Sequence, residues 1–100
     1  NFVKFNYIFD ENNISLDEDF LGNLSILLNL YKKNKEVIFI DMISFLTENY
    51  FNLLRNKNLF TNEKIIEYKS FVLENINKFF LYNLNQNALL NNISNTISHE

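Results

Sequence analysis

Residues 36–55 read EVIFIDMISFLTENYFNLLR. Their polar positions, Asp41, Ser44, Glu48, Asn52 and Arg55, are spaced three, four, four and three apart. That spacing draws one narrow stripe down an α-helix. The rest of the helix surface is apolar: Val37, Ile38, Phe39, Ile40, Met42, Ile43, Phe45, Leu46, Tyr50, Phe51, Leu53 and Leu54. A helix that shows water so thin a stripe must be covered by neighbours on most sides. Glu36–Arg55 is therefore expected to be the central helix of an all-α domain.

The flanking segments fit that expectation. Before it, Phe20, Leu24, Leu27, Leu28 and Tyr31 form a core-facing stripe, widened by Leu21, Ile26 and Leu30. Ser15-Leu16-Asp17-Glu18 reads as a capping box, with Ser15 as the cap. Asp17, Glu18 and Asp19 suit the positive start of that helix, and Lys32 and Lys33 its negative end. Gly22, the only glycine, sits inside it at a cost of about 1 kcal/mol relative to Ala, which a close approach by another helix would justify. Asn34-Lys35 is the linker. After the central helix, Asn56-Lys57-Asn58 is a stop signal. Thr61 caps a third helix running to about Leu84, with Phe60 and Ile65 placed as a hydrophobic staple. Its polar stripe is Glu67, Ser70, Glu74 and Asn77, and Glu74–Lys78 is an i,i+4 ion pair. Asn83 and Asn85 mark a break. A last helix, roughly 87–97, carries Leu89, Leu90, Ile93 and Ile97 on one face.

Residues 1–9 alternate, with Val3, Phe5, Tyr7 and Phe9 on one side of a strand and Lys4 and Asn6 on the other. A lone strand has no partner. The segment is read as an extended arm, packed on the helices or pairing with another chain; the tail of a helix is the alternative. Residues 10–13 form a turn. The expected fold is a small bundle of about four helices with an N-terminal extended arm, divided into an arm and turn over 1–14 and a single helical domain over 15–100.

Composition narrows the function classes. At 100 residues, 47% hydrophobic and 16% aromatic, the chain can build a core without staples. It has no Cys, so disulfides and thiolate metal sites are excluded. A net charge of −3 disfavours a nucleic-acid binder. No apolar run exceeds four residues, where a membrane span needs roughly twenty, so no span and a soluble chain are expected. The N-terminus lacks the layout of a signal peptide, and without an initiator Met it reads as a cut or processed start. Twenty Asn, eight Lys, one Arg, one Gly and no Pro suggest an AT-rich genome.

Sites of chemistry are sparse. Asp17-x-Asp19-x-x-Gly22 imitates a calcium loop, but Leu21 and Leu28 stand where oxygen ligands are needed. His99 is the only histidine and lies at the chain end, short of the three or four ligands zinc requires. One Gly cannot build a phosphate loop. No catalytic residues, metal ligands or cofactor are assigned, and an enzyme is not expected. The basic cluster Lys32, Lys33 and Lys35 complements a helix dipole. Asn13, Asn23 and Asn92 open N-x-S sequons, but among so many Asn residues about two arise by chance.

One feature points outward. The helices 36–55 and 61–84 each show only a narrow wet stripe, and four helices cannot surround two of their own number. Apolar surface left uncovered marks an interface. Ile38, Ile40, Phe45, Phe80, Tyr82 and Leu84 are the interface candidates. The expected function is a non-enzymatic helical protein–protein interaction or oligomerisation module, with a protein partner or a second copy of the chain. The alternative is a ligand-sensing or dimerisation domain of a larger regulatory protein, with a small-molecule ligand among the Phe residues.

Overall fold

The expected central helix is present as α3, Val37–Asn56. Asp41, Ser44, Glu48, Asn52 and Arg55 are all exposed along it, and of its twelve apolar residues only Val37 is exposed. A computed structural model describes residues 2–16, 18–82 and 85–98. Those residues form five helices and no strand: α1 Phe2–Glu11, α2 Phe20–Asn34, α3, α4 Asn62–Tyr82 and α5 Gln86–Ser98. The fold is all-α. The count is five rather than about four because the first residues are helical and not an extended arm. They gather into two compact units, Asn1–Tyr50 and Phe51–Glu100, and the boundary falls within α3.

In the first unit, α1 explains the alternation that reads as a strand. Residues two apart lie about 200° apart on a helix, so Val3 and Tyr7 fall on one face and Phe5 and Phe9 on the opposite one. A ten-residue helix is marginal by itself in water. Here the rings of Phe5 and Phe9 lie 5.9 and 6.2 Å from that of Phe45 on α3. Packing, not local propensity, holds the segment helical. Its end is a Schellman closure: the Ile14 N–H donates to Phe9 O at 2.9 Å and the Asn13 N–H to Asp10 O at 3.3 Å. Asn13 stands at the left-handed position with φ 57°, and the buried Phe9 and Ile14 flank the motif.

The start of α2 departs from expectation. The cap is Asp19, not Ser15, and its carboxylate accepts from the Gly22 N–H at 3.1 Å. The carbonyls of Ser15, Leu16 and Glu18 are engaged otherwise. The Asn23 amide donates to Ser15 O at 2.7 Å and to Glu18 O at 2.8 Å, and Asn49 on α3 donates to Leu16 O at 3.1 Å. Gly22 leaves room for this cap: a Cβ there would stand 2.6 Å from the Asp19 Cγ, so the carboxylate would have to move. The core stripe is as expected, with Phe20, Leu24, Leu27 and Leu28 buried. Phe20 stacks on Tyr50 of α3 at 4.2 Å. Burial pushes the Tyr50 phenol above its ordinary pKa, because the charged form would lose its hydration. Lys35 closes α2 in the left-handed region, its N–H donating to Tyr31 O at 2.7 Å.

In the second unit, α4 buries Ile65, Tyr68, Val72, Ile76 and Phe79, and exposes Glu67, Ser70, Glu74 and Asn77. The Lys64 N–H donates to the Thr61 hydroxyl at 3.2 Å, the cap read from the sequence. Phe60 lies edge-on to Tyr68, 5.8 Å between ring centres, and so anchors the entry of α4. Lys78 and Glu74 pair at 3.3 Å on the exposed surface. Asn85 caps α5, its side-chain oxygen accepting from the Ala88 N–H at 3.0 Å, and α5 packs on α4 with Leu89 and Ile93 buried.

Candidate interaction surface

Large apolar side chains that folding leaves in water are the raw material of an interface. Among the described residues these are, in the first unit, Val3, Tyr7 and Val37, and in the second, Leu59, Ile66, Leu81 and Tyr82. Most stand singly. Ile66 and Leu81 lie on the same wet face of α4 but are about 22 Å apart at 1.5 Å per residue. The exposed Ser70, Glu74 and Asn77 lie between them, so no continuous patch forms. Leu59 sits in the α3–α4 loop beside Asn58, which holds a left-handed backbone at φ 56°.

The outer face of α1 is different in kind. Val3 is 84% exposed and Tyr7 66%. At i,i+4 they are neighbours on the helix surface, one turn apart. They lie opposite the face that meets Phe45. The first two turns of the helix are therefore apolar on two sides, with one side used by the first unit and the exposed Lys4 and Asn6 between them; the exposed Asp10 and Glu11 continue the Val3–Tyr7 face one turn on.

The interface candidates from the sequence separate on this evidence. Ile38, Ile40, Phe45 and Phe80 are half-buried. Phe45 meets Phe5 and Phe9, so α1 takes up α3 surface that four helices would have left bare. Phe80 packs edge-on to its neighbour Phe79 at 5.5 Å. Tyr82 is exposed. Leu84, like Asp17 and His99, lies outside the described residues. Val3 and Tyr7 were missed because a strand reading puts them on the same side as Phe5 and Phe9.

Other chemistry is thin. Among the described residues no three His, Cys, Asp or Glu side chains come together as a metal site would need. Lys32, Lys33 and Lys35 are exposed, and the Lys35 ammonium lies 5.3 Å from the centre of the Tyr31 ring. The Asn23 sequon is spoken for, since its amide is buried and spans two carbonyls. By length and composition alone, α3 is the one helix among the described residues that could cross a membrane, a test that a core helix also passes. Phe39, Met42, Ile43, Leu46 and Phe51 are buried within the protein, while Ile38, Ile40, Phe45, Tyr50 and Leu53 are half-buried, so part of the apolar surface of α3 is covered. Thr47 is also fully buried and donates its hydroxyl to Ile43 O at 2.8 Å, which satisfies it without a ligand. No family model, curated protein or solved structure matches this chain.

Proposed function

We propose that this chain is a non-enzymatic helical module that works by packing on a protein, either a partner or a second copy of itself. The observation that carries the reading is α1, whose first two turns are apolar on two opposite faces, with the Phe5 and Phe9 face covered and the Val3 and Tyr7 face exposed. Scattered apolar side chains are ordinary on a protein surface, but a second apolar face on a short helix is not explained by folding. In the second unit, Tyr82 with the neighbouring Leu81 is proposed as a separate contact site. Ile38, Ile40, Phe45, Phe80 and Leu84 stay in the proposal as contact residues, the first four half-buried and Leu84 outside the described residues.

Magnitudes set a condition on the partner. Fully burying Val3 and Tyr7 contributes about 3–6 kcal/mol. Association costs about 4–15 kcal/mol in lost freedom. Two side chains cannot hold a complex, so the partner must reach beyond α1.

The test is light scattering behind size exclusion over a wide concentration range, with capture of partners from the native source alongside. The bait is the natural chain or the double variant Val3→Lys, Tyr7→Lys. Both positions are exposed, so the variant should keep its helical circular dichroism. A species heavier than 12.0 kDa, or a captured protein, that disappears with the variant is the expected result. A strict monomer that captures nothing sensitive to the variant would overturn the proposal.

A further inference from the structure

We draw no further inference here: the strongest candidate, the outward Val3–Tyr7 face of α1, is an unpartnered apolar patch too small to hold a partner alone, and nothing in the structure shows what covers it.

Discussion

Replacing Asn23 tests whether a single amide holds the segment between α1 and α2. Asn23 is 6% exposed, and its side chain donates to Ser15 O at 2.7 Å and Glu18 O at 2.8 Å. Asn23→Ala removes both donated bonds: the Glu18 carbonyl loses its Asn23 partner, while the Ser15 carbonyl keeps the Glu18 N–H at 3.2 Å. At about 0.5–1.5 kcal/mol per hydrogen bond the loss is about 1–3 kcal/mol. Ala is the better helix former and returns up to about 0.7 kcal/mol. The net loss should fall near 1–2 kcal/mol, a drop in Tm of roughly 4–16 °C for a chain of this size. Thermal and urea melts followed by circular dichroism read it, with Asn6→Ala as the exposed control on α1. Asn23→Asp is the sharper variant, since a carboxylate cannot donate and faces two carbonyl oxygens. At pH 7 it should be less stable than Asn23→Ala. The folded site favours the protonated acid, so its folded pKa is raised above the unfolded value of about 3.9. The donated bond of the acid is thus present at low pH and lost as pH rises through the folded pKa. The Asp variant should therefore regain stability relative to Ala on acidification. Equal melts for Asn23→Ala and Asn6→Ala, or an Asp variant matching Ala at every pH, would refute the clamp.

Two further outcomes follow from the same unit. Gly22→Ala forces the Asp19 carboxylate off its cap, a cost of about 0.5–2 kcal/mol that offsets the gain of up to about 1 kcal/mol from Ala in a helix. In an Asp19→Gly background the obstruction is gone and the same change should stabilise, so a double-mutant cycle by urea melts should show coupling above about 0.5 kcal/mol; additive effects would exclude the overlap. Tyr50 has its pKa raised by burial, so its contribution is fully present below the unfolded value of about 10 and is lost as pH rises through the folded value. Melts from pH 9 upward should show the natural chain losing stability faster than Tyr50→Phe, and parallel curves would contradict the burial of the phenol.

Most of the helical plan was legible because it is written in residue periodicity. The polar stripe from Asp41 to Arg55 and that from Glu67 to Asn77 are exposed as their spacing predicts. The caps at Thr61 and the closure near Lys35 follow from local chemistry that a sequence displays. The first ten residues were not legible, because alternation is also the signature of a helix with two apolar faces. Only the Phe45 ring, more than thirty positions away, decides between them. The Ser15 motif failed for a related reason: several oxygen-bearing side chains within five residues could each cap a helix, and Asn23 from inside α2 claims the Ser15 and Glu18 carbonyls. The contact surface inherits both limits, since α1 had to be a helix before Val3 and Tyr7 could share a face.

Asparagine has a double grammar in this chain. At position 85 its side-chain oxygen begins a helix, while at 13 and 58 its tolerance of positive φ ends one. Glycine ordinarily writes the second mark, and this sequence spends its only glycine elsewhere, under the Asp19 cap. Start and stop are therefore spelled with the same letter, told apart only by which side the apolar repeat lies on. Residues that look interchangeable in composition are not so in tolerance. A saturation scan scored for folding should accept most changes at the exposed Asn6 and Asn87, accept Gly at 13 and 58, and accept Ser or Asp at 85. A flat profile across these five positions would mean that the helix ends are set by packing alone.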